Sequence, residues 1–297
     1  MRRFLKFSDK LKNYSIYISQ IMHLPVHIAI PRCILSLAKA YLKDIVYGIL
    51  RYENFFIGLH LHKNCIVRTR GKYFVVRKHT IDLNSVSPLS EAREISILCD
   101  KLRKLRKKIE GNNYQIIFID VGAHIGKYSI LFADLVHKVI AIEPDPRNYT
   151  VLRYNIKLNK ISNVVTLQVA ASSRKDRVKL IIDNVYTAHS HVAVGKEETS
   201  THHVIVQALP LDVLLEQLGL ISTTMYYVLK IDVEGHEIDV LKGAQRILRK
   251  TKIMLVETTY RNLYSLIKLI PRGMCVVAMY RYPYTVNLIL TTQDLIA

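Results

Sequence analysis

The sequence predicts an α/β fold: a mostly parallel sheet closed by a C-terminal antiparallel hairpin, preceded by a basic, mainly helical N-terminal extension. Three observations carry this. From residue 115 onward, short apolar runs, five of them ending in acids, alternate with helical patterns of ten to fourteen residues, the signature of strands wound by crossover helices. Two glycines four apart, Gly122 and Gly126, directly follow the first run. Two further strand patterns, 274–281 and 285–292, meet at Tyr282-Pro283 near the end of the chain.

Taken in order, residues 33–50 predict a helix with Leu35, Ala38, Leu42, Ile45 and Ile49 on one side. CIVRTR and KYFVVRK, with Gly71 between them, predict a hairpin. A helix over 89–109 follows from the 3-4-3-4 spacing of Ile95, Leu98, Leu102, Leu105 and Ile109, and its other faces carry KLRKLRKK, six cations in eight residues. Strands are then predicted at 116–120, 139–143, 164–171, 178–183, 203–209, 226–232 and 252–257. Helices are predicted at 126–136, 148–159, 211–219 and 237–250. This divides the chain into a basic N-terminal region, 1–110, and a domain over 111–297.

Half of the 297 residues are apolar and 23% are charged, which gives material for a substantial core. Cys33, Cys65, Cys99 and Cys275 lie far apart with no metal-ligand spacing, a usage compatible with a reducing cytoplasm. The net charge of +19 is uneven: residues 1–110 hold 22 Lys+Arg against 8 Asp+Glu, and the remaining 187 hold 21 against 16. That surplus suits an anionic partner such as RNA, an acidic membrane face or a phosphorylated substrate. The uncharged stretch 13–31 is too polar and Pro-broken to read as a signal peptide or a membrane span. The expected location is therefore cytoplasmic, with peripheral contact at a membrane surface open to the basic N-terminal region.

Ligands of open α/β sheets bind beyond the carboxyl ends of the strands. The first strand delivers Asp120-Val-Gly122-Ala123-His124-Ile-Gly126, in which Gly122 permits a sharp turn and Gly126 close helix packing. The spacing is not the dinucleotide pattern GxGxxG, so a ligand without a pyrophosphate is favoured. The second strand ends in Glu143, followed by Pro144-Asp145-Pro146. An acid about 20 residues past the glycine turn is placed to accept hydrogen bonds from ribose hydroxyls. The strand at 226–232 ends in KIDVEGHE, which crowds Asp232, Glu234 and Glu237 around His236. Acids packed at a strand mouth serve a cation, a proton transfer or a metal.

FIDVGAHIGKYS, AIEPDPRNYTVLRYNIKLN, QALPLDVLL and LKIDVEGHEIDVLKGAQRIL, in this order, resemble the FkbM-like family of S-adenosylmethionine-dependent methyltransferases over about residues 115–260. The resemblance implies a Rossmann-like class I methyltransferase sheet with S-adenosylmethionine as cofactor. It places the methionine end at the turn of Asp120, Gly122, Ala123 and Gly126, the ribose at Glu143 beside Asp145, and the adenine near Ala170 and Ala171. His124 stands where many methyltransferases have a glycine, a substitution the family shares.

Methyl transfer from a sulfonium requires a positioned nucleophile and a base. Asp232 and Glu234 are the expected bases, with His236 a further candidate; two acids are a thin ligand set, and no metal is assigned. The polar segment 183–203 suits an acceptor-site lid, to which His189 and His191 could contribute. The family implies O-methylation of a glycan, a glycolipid or a small natural product. Two alternatives stand beside it. One is an RNA methyltransferase that uses the basic N-terminal charge; the other is a non-catalytic, membrane-associated protein that has kept the fold.

Overall fold

Residues 61–193 and 202–296 are described by the computed structural model. The helix expected over 33–50 and the uncharged stretch 13–31 lie outside them. The first element is the expected hairpin, β1 (Cys65–Thr69) and β2 (Lys72–Val76), turning through Arg70 and Gly71. A short helix α1 (Asp82–Val86), with no periodic signal in the sequence, leads to α2 (Ala92–Ile109), whose apolar stripe is buried as predicted.

The main sheet alternates with helices as expected: β3 (Gln115–Val121), α3 (Lys127–Phe132), β4 (Lys138–Ile142), α4 (Pro146–Leu158) and β5 (Val164–Leu167). The predicted strand 164–171 is in fact two. β5 pairs with β4, whereas β6 (Ala170–Ala171) leaves the main sheet and joins a second one with β7 (Asp176–Ile181), β8 (His191–Val192) and β9 (His203–Leu209). The chain continues through α5 (Leu211–Gln217), β10 (Met225–Ile231), α6 (Glu237–Lys242), α7 (Gln245–Leu248), β11 (Thr251–Thr259), α8 (Leu263–Ile267), β12 (Met274–Arg281) and β13 (Thr285–Thr292). The helix predicted over 237–250 is broken between α6 and α7 at Gly243, whose carbonyl accepts from Asp212 N at 3.0 Å and so ties the break to α5.

The seven strands of the main sheet run in the order β12-β13-β11-β10-β3-β4-β5. β10, β11, β3, β4 and β5 are parallel neighbours, and β13 runs antiparallel to both β11 and β12. Strand order reverses at β3, which lies between β4 and β10, and this reversal opens the crevice that an open α/β sheet offers to a ligand.

Alternation along β3 sends Ile117, Ile119 and Val121 into the layer that also buries Leu214, Val240 and Leu241. Ile116 and Phe118 go into the other layer, with Leu98, Leu102, Leu105 and Phe132. A third cluster joins Phe74 and Val76 of the hairpin to Ile125, Leu152 and Ile156. Two asparagines of α4 secure that contact. Asn155 accepts from Val75 N at 2.7 Å and donates to Ile125 O at 2.9 Å; Asn159 accepts from Tyr73 N at 2.8 Å and donates to Tyr73 O at 2.6 Å. Residues 61–110 thus share the core of the sheet. Among the described residues no helix is long and apolar enough to cross a membrane, and Cys65, Cys99 and Cys275 are free thiols.

Candidate active site

The crevice is a cleft enclosing about 580 Å³ of empty space, part of it open to solvent. β3 and β4 supply Val121, Gly122, His124, Ile142, Glu143 and Pro144; β6, β7 and the segment to β8 supply Ala170, Ala171, Leu180, Thr187 and Val192; β10 leads to Asp232, Val233 and His236. The small second sheet is therefore a wall of the site.

Gly122 has φ +76°, and a Cβ there would stand 1.8 Å from the carbonyl oxygen of Asp232. Only glycine allows the first turn to lie this close to the end of β10. The turn is fixed by Gly122 N and Ala123 N, which both donate to Ile142 O at 3.0 Å. Gly126, at φ +94°, packs against Leu152 of α4.

Glu143 is almost fully buried. Its carboxyl accepts from His124 N at 2.7 Å and Asp145 N at 2.9 Å, with the Asn148 side chain beside it, and these bonds do not use all of its lone pairs. Burial pushes its pKa up to about 7, against the pull of those two backbone donors. Asp145 stands behind it, capping α4 through Arg147 N at 2.9 Å, paired with the Arg147 guanidinium and accepting from Ser190 Oγ at 3.0 Å.

His124 is half-buried at φ +51° with its Nε2 2.9 Å from Thr187 Oγ1. The Thr187 hydroxyl donates to Asp82 Oδ1 at 2.9 Å, so the imidazole must donate through Nε2–H and is neutral at Nδ1. Burial takes its pKa down to about 4, with Asp82 opposing. Arg77 clamps Asp82 with its main-chain N, Nε and Nη2, and reaches Asn148, whose amide donates to Thr187 O at 2.8 Å. Burial would raise the Asp82 pKa, but those Arg77 bonds hold it below the usual carboxylate range. Arg77, Asp82, Asn148 and Thr187 strap the segment after β7 over the cleft, a role with no local signature in the sequence.

Asp120 is fully buried. Ser129 donates to its Oδ2 from both N, at 2.9 Å, and Oγ, at 2.6 Å, while its Oδ1 has no hydrogen bond and faces Lys230 Nζ at 3.5 Å, its partner across the β3–β10 ladder. Lys230 also donates to Gly122 O at 2.8 Å and lies 3.3 Å from Asp232 Oδ2. Burial alone would depress this ammonium, but Asp232, Asp120 and Glu91 outweigh it and raise its pKa.

The Asp232 side chain is 30% exposed and reaches the cleft. His236 lines it too, with Nε2 3.0 Å from Ser172 Oγ, and burial lowers its pKa against Asp239. Glu234, at φ +52°, turns away to a neighbouring groove of about 920 Å³ lined also by Asp183, His189 and His191. Burial, then the charges of Asp232, Glu257 and Glu237, push Glu234 up to about 9. Glu257, near the end of β11 and outside any motif, is pushed up to about 8 by burial and Asp232.

Of the residues assigned from the sequence, Gly122, Glu143, Ala170, Asp232 and His236 therefore line the cleft. Asp120, Ala123, Gly126 and Asp145 support it from behind, and Glu234 lines the groove beside it.

Residues 120–271, half the chain, match the family described as the methyltransferase FkbM domain. The chain belongs to this family. Its cofactor is S-adenosylmethionine. A relative, the hexuronic acid methyltransferase AglP of Haloferax volcanii, is 26% identical over 176 residues, which cover 59% of this chain and 68% of that protein. Among solved structures, a SAM-dependent methyltransferase from Agrobacterium tumefaciens is similar with a TM-score of 0.47 at 9% identity, over 78% of this chain and 71% of that one. Trm5b from Pyrococcus abyssi is similar with a TM-score of 0.38 at 14% identity, over 77% of this chain and 56% of that one.

The cleft fits the cofactor. Its lining includes two acids, Glu143 and Asp232, and no Lys or Arg, which suits a sulfonium nucleoside and not a pyrophosphate. Ile142, Pro144, Ala170 and Leu180 provide apolar wall, and the spare lone pairs of Glu143 can accept from vicinal hydroxyls. Among the described residues no group of His, Cys, Asp and Glu is arranged to hold a metal ion.

Proposed function

We propose that this methyltransferase methylates a hydroxyl of a glycan, glycolipid or small polyhydroxylated natural product, with Asp232 as the base. The carrying observation is the groove of Asp183, His189, His191 and Glu234, which adjoins the cofactor cleft along His191 and Val192. Its polar lining combines hydrogen-bond donors and acceptors without a Lys or Arg, a chemistry matched to a neutral polyol. The relative AglP is named for a hexuronic acid, which supports the sugar class of the acceptor but not its neutral charge.

When bound, S-adenosylmethionine supplies a methyl group on a good leaving group, so the protein must provide only orientation and a proton acceptor. Asp232 is the acid of the KIDVEGHE turn that reaches the cleft, while Glu234 and Glu257 hold their protons at neutral pH. Glu234, which lines the groove, can then donate a hydrogen bond to the acceptor in place of taking its proton. His236 orients through Ser172.

An RNA acceptor stands second, because the cations that would track a phosphate backbone lie on α2 and none lines the cleft or the groove. The non-catalytic reading stands third, because Gly122, Glu143 and Asp232 are all in place. The test is incubation with the labelled cofactor and a panel of glycans, glycolipids and RNA, with products located by mass spectrometry. Methyl ether on a sugar, lost about 10²–10⁴-fold in Asp232→Asn with cofactor binding retained, is the expected result. Methylated RNA base or protein nitrogen as the sole product would overturn it.

A further inference from the structure

The end of α2 and the segment before β4 enclose a second pocket, about 950 Å³ and open to solvent. It lies at the start of β3, whose seven residues separate it by about 20 Å from the Gly122 turn. Nothing in the methyl-transfer site uses it.

Arg103, Arg106 and Lys107 stand at i, i+3 and i+4, so one face of α2 directs all three cations toward this pocket. Arg106 donates to Asp134 O at 3.1 Å, which fixes its guanidinium across the mouth. Arg103 and Lys107 form no ion pair with a described acid, in contrast to Lys108, which pairs with Asp294, and Lys72, which pairs with Asp134. Across the pocket, His137 accepts from Ile116 N at 2.9 Å through Nδ1, so its free ring nitrogen, Nε2, is the proton donor. Asn112 adds an amide, Glu110 is the one acid of the lining, and the floor is Ile109, Tyr114 and Leu135.

We propose that this pocket binds a phosphate group, carried either by a lipid headgroup or by a soluble phosphate ester. Two guanidinium forks, an ammonium and a ring N–H converge on it, the donor set that a doubly charged, multi-oxygen anion satisfies. The apolar floor takes the carbon skeleton next to the phosphate. The distance from the cleft makes this a tethering site, separate from the hydroxyl that receives the methyl group, and it gives the KLRKLRKK run a function.

The experiment titrates the full chain, at low salt, with inorganic pyrophosphate by calorimetry, and with phosphatidylcholine vesicles with and without phosphatidic acid by sedimentation. Wild type is compared with a variant carrying Arg103→Gln, Arg106→Gln and Lys107→Gln, and with His137→Ala. All four positions are exposed, so the triple variant should keep the wild-type Tm and S-adenosylhomocysteine affinity; His137→Ala also removes the acceptor of Ile116 N, so its lower Tm is expected and its probe binding is read at a temperature where it is fully folded. The expected result is binding to at least one probe, weakened tenfold or more by the triple variant and less by His137→Ala. Response to pyrophosphate identifies a soluble ester; response to phosphatidic acid vesicles alone identifies a headgroup. Equal binding by wild type and triple variant, or binding to neither probe, overturns the proposal. So does an RNA oligonucleotide as the sole ligand.

Discussion

Lys230 Nζ lies 3.3 Å from Asp232 Oδ2, although the lysine is buried and the aspartate reaches the cleft. The same ammonium donates to Gly122 O and faces the unbonded oxygen of Asp120. One buried cation thus links the Gly122 turn, the first strand and the proposed base. Lys230→Met would leave Asp120 buried without a counter-charge and should cost about 3–5 kcal/mol in urea unfolding.

Cofactor affinity should depend on pH through Glu143. Its pKa near 7 means that much of the carboxyl is protonated below neutrality, whereas ribose hydroxyls donate best to the ionised form. S-adenosylhomocysteine should therefore bind up to about tenfold tighter at pH 8 than at pH 6, since one proton is released. Calorimetry across that range checks the slope. Glu143→Gln should abolish the slope and weaken binding about 10–100-fold, the worth of one or two charge-assisted hydrogen bonds.

Stability of the ligand-free protein should fall as pH rises from 6 to 9. Glu143, Glu234 and Glu257 keep protons in the folded state that the unfolded chain has already released above its ordinary carboxylate range. The folded state therefore binds more protons, and the stability slope with pH is negative until about 9. Thermal melts at constant salt should show a declining Tm, flattened by the pair Glu234→Gln and Glu257→Gln.

The hairpin should matter to the cofactor site although it precedes every recognised motif. Phe74 is fully buried against Ile125 and Leu152, and α4, held by Asn155 and Asn159, carries Asp145 at its other end. Phe74→Ala should cost about 3–5 kcal/mol. A chain lacking 1–80 should lose cofactor binding together with its cooperative melt, whereas one lacking 1–60 should keep both.

The sheet, its hairpin and the cleft residues Gly122, Glu143 and Asp232 were legible because each is written locally, as an apolar run, a turn residue and an acid at a strand end. The strap over the cleft was not. Asp82 and Thr187 meet across 105 positions, and neither stands in a periodic segment. Glu257 ends a strand like many acids, and only the packing of β11 beside β10 brings it to Asp232. The third strand read as one because VVTLQVAA has no breaker, yet its last two residues pair in a different sheet.

The 1.8 Å that a Cβ on Gly122 would leave to the main-chain carbonyl oxygen of Asp232 couples the backbone of the first turn to that of the proposed base. A side chain at 122 would wedge the two apart. A catalyst built this way can change its clientele only elsewhere, and the replaceable part is the groove of Asp183, His189, His191 and Glu234. Libraries aimed at new acceptors should therefore diversify 181–192 and 234 while holding 120–126 and 230–232 constant.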